Sequence, residues 1–209
     1  MLDLLEEKLV DIVRELCVND SAHDLAHVKR VVENARQLAI AENADLDIVI
    51  PAAWLHDVVS LAKNDPNRLM ASQLAADKAC ELLAVLRYPE QHLSAVHHAI
   101  KAHSFSAGVK ALSLEAKIIQ DADRLDALGA IGLARCFMVS GALNRPLYHW
   151  QDPFAKNRPL NDRQFCIDHF YQKLLTLKDK MNTDSAREIA LQRSAYMHDF
   201  LEQLSSEIT

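Results

Sequence analysis

Four short segments put imidazoles and carboxylates where helical periodicity calls for core residues. In "AAWLHDVVS" (52–60), His56 and Asp57 sit among Ala52, Ala53, Trp54, Leu55, Val58 and Val59. In "AHDLAHVKRVV", His27 falls between Leu25 and Val28 on an apolar helical pattern, and His23 lies in the loop before it. "HHAIKAHSFS" carries His97, His98 and His103, and "QDADRLDALG" carries Asp121, Asp123 and Asp126. A buried carboxylate without a partner costs roughly several kcal/mol. Each segment alone has an ordinary explanation, such as a cap, a hydrogen-bonded pair or an Asp–Arg pair on a solvated face. Their conjunction on apolar helices of one small protein is more specific. Two imidazoles and two carboxylates suit one divalent cation: Mn²⁺, Fe²⁺, Co²⁺, Ni²⁺ or Zn²⁺, with Mg²⁺ also compatible. Such an ion lowers the pKa of bound water and neutralises phosphoryl charge, which is the chemistry of phosphate-ester hydrolysis.

The elements that must position these groups read as helices throughout. Leu5, Leu9, Ile12, Val13 and Leu16 predict a first helix, and Leu25 to Leu38 a second. Asp45 or Asp47 can cap a third, expected to run through His56 and Asp57, with Pro51 in its first turn or at a kink. Leu69 opens a fourth, and Pro89 stands near the start of a fifth. Ser113 can cap a sixth, read as one helix through "LEAKIIQDADRLDALGAIGLARCF". Residues 140–160 form a long ordered loop, and such loops tend to be functional. Two further helices are expected at about 161–180 and 184–205, the second capped by Thr183 or Asp184.

Composition agrees. The 209 residues are half hydrophobic, with only 4 Gly and 6 Pro, which favours an all-α chain large enough for a sizeable core. The net charge of −6 and the absence of a basic cluster with interleaved aromatics argue against a nucleic-acid binder or a binder of anionic membranes. The longest apolar run, "IVIPAAWL", is too short to span a bilayer, and the N-terminus lacks the basic start of a signal peptide. Cys17, Cys80, Cys136 and Cys166 match no zinc or redox motif and read as buried free thiols. The expectation is a cytoplasmic protein.

The order of a helix-borne His, an adjacent His-Asp pair and a later Asp resembles the HD-domain superfamily of metal-dependent phosphohydrolases. "HDLAHVKRV", "LHDVVS", "KNDPNR", "HSFS", "EAKIIQDADRLDALGAIGLAR", "RPLYHWQDPF" and "KMNT" are similar to a bacterial group of nucleotide-pyrophosphatase-like HD hydrolases, over residues 21 to about 205. The resemblance implies a compact, all-α HD-domain bundle. It is expected as a single domain over 1–209, with a metal-binding core at about 21–140 and C-terminal helices packed on it. It also implies that His27, His56, Asp57 and Asp123 hold one divalent ion. Where some relatives carry a Glu after the His-Asp pair, this chain has Val58, Val59, Ser60 and Leu61. Proton transfer must then fall to Asp126, His103 or His23, or to the ion's own water.

The reading is a hydrolase acting on a small phosphorylated metabolite, a nucleotide first among them, as triphosphate pyrophosphohydrolase or nucleotidase. Lys63, Asn64, Arg68 and Arg145 are candidates to hold its phosphates. Two alternatives stand beside it. A di-metal oxygenase or phosphodiesterase would use His97, His98 and His103 as extra ligands. A non-catalytic nucleotide-binding regulator would keep the fold without turnover. Oligomeric state is open, with a homodimer through the last two helices one arrangement.

Overall fold

The computed structural model describes residues 2–16, 24–61, 65–104 and 107–208, apart from the Asp3 side chain. Nine α-helices and no strand occur among them: α1 (Leu2–Leu16), α2 (Leu25–Glu42), α3 (Leu46–Leu55), α4 (Ala71–Val85), α5 (Glu90–His103), α6 (Leu114–Asp126), α7 (Gly129–Ala142), α8 (Cys166–Gln172) and α9 (Asp184–Ile208). The all-α expectation holds. No single helix among them is long and apolar enough to cross a membrane. The backbone divides into two compact units, residues 1–123 and 124–209.

In the first unit α3 is the central rod. Val49 to Leu55 are all buried, and α1, α2, α4 and α5 pack around them. A helix that is apolar all round belongs inside, and the chain leaving its C-terminus is delivered into the interior. Asp45 caps α3, its side chain accepting from Asp47 N–H. Pro51 is the sixth helical residue, beyond the first turn where the sequence favoured it. It cannot donate to the Asp47 carbonyl, and the Tyr88 hydroxyl donates to that carbonyl instead. α1 is tied in through Glu6, which accepts from Arg36 of α2 and from Trp54 Nε1 of α3 at 2.8 Å.

Three expected boundaries move. α3 stops at Leu55, and Val58 N–H closes on the Leu55 carbonyl at 3.2 Å, so His56 and Asp57 lie on a tight turn and not within the helix. The long sixth helix breaks into α6 and α7 at Ala127–Leu128. Gly129 adopts φ +69°, and the Ala127 carbonyl oxygen would lie 2.2 Å from a Cβ on Gly132, so only glycine fits there. The 161–180 segment becomes α8 and a 3₁₀ stretch, Leu174–Lys180, separated by the non-helical Lys173. In the second unit α7 packs on α9 and α8, and α9 starts with the Thr183 hydroxyl accepting Ala186 N–H.

Candidate metal centre

His27 sits in the first turn of α2, anchored by its N-cap: Asp24 Oδ1 accepts the His27 backbone N–H at 2.8 Å. His56 follows α3, and its Nδ1 lies 2.7 Å from the Ala53 carbonyl. A carbonyl only accepts, so Nδ1 carries the hydrogen and Nε2 presents its lone pair. That Nε2 is sealed from solvent and makes no hydrogen bond among the described residues. It stands 3.5 Å from Asp57 Oδ2. His27 Nε2 lies 3.8 Å from the same oxygen and 3.7 Å from Asp123 Oδ1 on α6.

One donor atom each from His27, His56 and Asp57 falls within 4.8 Å of the other two. Ligands at neighbouring positions on a cation, with bonds of about 2.0–2.3 Å, stand roughly 3–4 Å apart. The three residues therefore fit a divalent ion, and Asp123 adjoins them through His27. His103, at the end of α5, uses the same device as His56. Its Nδ1 is 2.6 Å from the Ile100 carbonyl, and its Nε2 is 3.4 Å from Asp57 Oδ1.

The electrostatics follow from burial around one carboxylate. Burial lowers the His56 pKa to about 4, so this imidazole is neutral at neutral pH, as a ligand must be. Burial works to raise Asp57, but the surrounding imidazoles outweigh it and hold the carboxyl well below its usual range. Burial also works to lower His103, and the Asp57 carboxylate reverses the sign, so His103 titrates higher than an ordinary histidine.

The other sequence candidates fall elsewhere or outside view. His23, Lys63 and Asn64 lie outside the described residues. Arg68 is half-buried, and its Nη1 donates to the Leu61 carbonyl at 3.3 Å, bracing the chain that leaves the His56–Asp57 turn. Asp126 is buried and accepts from Arg135 Nη1. Arg145 belongs to the second unit, where its charge acts on Cys136 and Cys166. Of the three histidines offered for a second ion, His103 alone reaches Asp57. His97 pairs with Asp77 at 2.8 Å, and His98 Nε2 accepts Leu112 N–H.

Sequence reasoning passed over two buried amides. Asn34 donates to the Ala122 carbonyl beside Asp123, and Gln120 donates to the Ala102 carbonyl beside His103 at 2.9 Å. Their signal was present: each is a polar residue on an apolar face, Asn34 after Val31 and Val32, Gln120 after Ile118 and Ile119. Neither ionises, so neither carries the mark of a metal ligand or a proton carrier in the sequence.

The HD domain family model matches residues 24–128. The chain is 39% identical to the Bacillus subtilis protein YpgQ over 192 residues, covering 90% of this chain and 85% of that one. The crystal structure of B. subtilis YpgQ in complex with ADP superposes with a TM-score of 0.79 at 35% identity, covering 99% of this chain and 97% of that one. An HD-superfamily hydrolase from Bacillus thuringiensis gives 0.77 at 35% identity, covering 99% and 98%. The chain belongs to the HD-domain family.

Proposed function

We propose that this protein is a metal-dependent phosphohydrolase acting on a small phosphorylated metabolite, with nucleotides the first class to test. The observation that carries the reading is His56 Nε2: deprotonated, buried, without a hydrogen bond among the described residues, and 3.5 Å from a carboxylate oxygen beside His27. Burying such a set costs desolvation, and the neutral His56 imidazole brings no hydrogen bond to Asp57 to offset it. A relative of 35% identity, similar over nearly its whole length, has been crystallised with ADP, which supports a nucleoside phosphate as the ligand class.

A divalent ion held by His27, His56, Asp57 and Asp123 would supply an acidified water and neutralise phosphoryl charge. The chain's own contributions are positional. The Ala53 and Ile100 carbonyls fix the tautomers and ring orientations of His56 and His103. Asn34 and Gln120 hold the backbone next to Asp123 and His103. His103, 3.4 Å from Asp57, is placed to hold or pass a proton. Arg68, with Lys63 and Asn64 in the same polar stretch, offers donors for substrate phosphates.

The test is a screen of nucleoside mono-, di- and triphosphates across Mn²⁺, Mg²⁺, Co²⁺, Ni²⁺, Fe²⁺ and Zn²⁺, with phosphate and pyrophosphate release read separately. The expected result is metal-dependent release that a chelator stops, with about one ion bound per chain. Pyrophosphate release identifies cleavage between the α and β phosphates, and orthophosphate release identifies a nucleotidase. Stoichiometric metal with no turnover of any nucleotide would overturn the reading, and two redox-active ions per chain would reopen oxygen chemistry.

A further inference from the structure

The second unit holds a thiol pair that the proposed hydrolysis does not use. Cys136 lies on α7, and Cys166 is the first residue of α8. Their sulfurs are 3.7 Å apart, across 30 positions of sequence. A disulfide requires them to close by about 1.7 Å. Both thiols are free, Cys166 buried and Cys136 half-buried, so the pair has a side from which a small oxidant can approach. The chain between them is already folded back on itself: Cys166 N–H donates to the Pro146 carbonyl at 3.1 Å, and Ile167 N–H to Leu147 at 2.9 Å. A covalent bond would therefore close a loop whose ends the backbone has brought together.

We propose that Cys136 and Cys166 form a redox-modification site, at which a peroxide-class oxidant joins them in a disulfide that closes the chain between α7 and α8. The chemistry balances with hydrogen peroxide as oxidant. One sulfur, as its thiolate, breaks the O–O bond and forms an S–O bond, and the second peroxide oxygen leaves as hydroxide. The other thiol gives its proton to that hydroxide, and its sulfur displaces the hydroxyl from the sulfenic acid. The S–S bond forms, the S–O bond breaks, and the displaced hydroxyl becomes water on taking up the first thiol's proton. Two thiols are oxidised and one peroxide is reduced to two waters. Arg145 favours the thiolate form of both sulfurs, and the hydrogen bond between them stabilises the thiolate of whichever sulfur accepts it.

The experiment treats the intact protein with hydrogen peroxide, alkylates remaining thiols under denaturing conditions and maps the peptides by mass spectrometry. The expected product is an intramolecular Cys136–Cys166 cross-link, lighter by two hydrogens and reversed by a dithiol. Because the bond closes a loop of about 30 residues, the oxidised protein should melt several degrees higher. C136S, a small change at a half-buried position, should lose both the cross-link and the rise in melting temperature. Recovery of Cys136 and Cys166 as separate alkylated or over-oxidised peptides from the wild type would overturn the proposal. So would cross-links that run only through Cys17 or Cys80.

Discussion

Two aspartates show how differently the two units treat a carboxylate withdrawn from water. Asp168 of the second unit is fully buried. It accepts a two-pronged pair from Arg158, at 2.5 and 2.7 Å, and the Asn161 backbone N–H at 2.6 Å. The guanidinium fork matches both oxygens and brings a full positive charge, so the site is complete as folded. Asp57 of the first unit is 19% exposed and is ringed by His27, His56 and His103 at 3.4–3.8 Å. His56 there is neutral and presents its Nε2 lone pair beside the carboxylate, where Asp168 meets only donors. The first arrangement holds a loop, and the second has the donor spacing that fits a cation.

The contrast is broken most severely at Asp57. Asp57→Asn keeps the shape and removes the charge, so metal content measured by elemental analysis should fall well below one ion per chain and turnover should disappear. The fold should persist, as read by circular dichroism. Metal-replete, wild-type-like turnover would show that Asp57 is a staple like Asp168.

The reciprocal change is Arg158→Ala, which strands the Asp168 carboxylate without its charge partner. The expected loss is about 3–5 kcal/mol of stability by denaturant unfolding. Metal binding should be retained in conditions where the protein is folded.

Acidification should separate the two regions. The His56 pKa is lowered to about 4 from 6.5, so its contribution to stability is present above about pH 6.5 and is lost as pH falls from there to 4. The size is on the order of 3 kcal/mol, and a bound ion shifts the loss in the same direction. For Asp168, burial works to raise the pKa, but Arg158 and the Asn161 N–H bring it down, so its contribution survives until pH falls below about 4. Hydrogen exchange at pH 5 should therefore show weakened protection around residues 46–58 while 166–172 keeps its protection. Equal loss in both segments would contradict the assignment.

The smallest effect is expected at Arg68. Arg68→Ala removes a long hydrogen bond to Leu61 and a candidate phosphate donor. The loss in kcat/KM for a nucleoside triphosphate should be about tenfold, with metal content and melting temperature nearly unchanged. No kinetic change would assign Arg68 to bracing the turn alone.

The helices, and the polar residues that the structure gathers around Asp57, were legible in the sequence because both are marked by local information. Helical periodicity, the Asp24 and Asp45 caps and the anomalous polar residues on apolar faces are written at fixed spacings. The metal-binding assignment itself came from the resemblance of that ordered set to HD proteins. The helix break at Ala127–Leu128 was half legible, since Gly129 and Gly132 were visible. The reason for it, a carbonyl pressed against Gly132, is a contact that no spacing encodes. Tertiary structure alone decided that His103 reaches Asp57 while His97 and His98 do not. It also turned Asp126 to Arg135 and brought Cys136 within reach of Cys166 across 30 residues. Sequence fixes which groups an element carries. Which of them face one another depends on where each helix ends and how it packs, and one residue more or less at a helix end turns a side chain by about 100°.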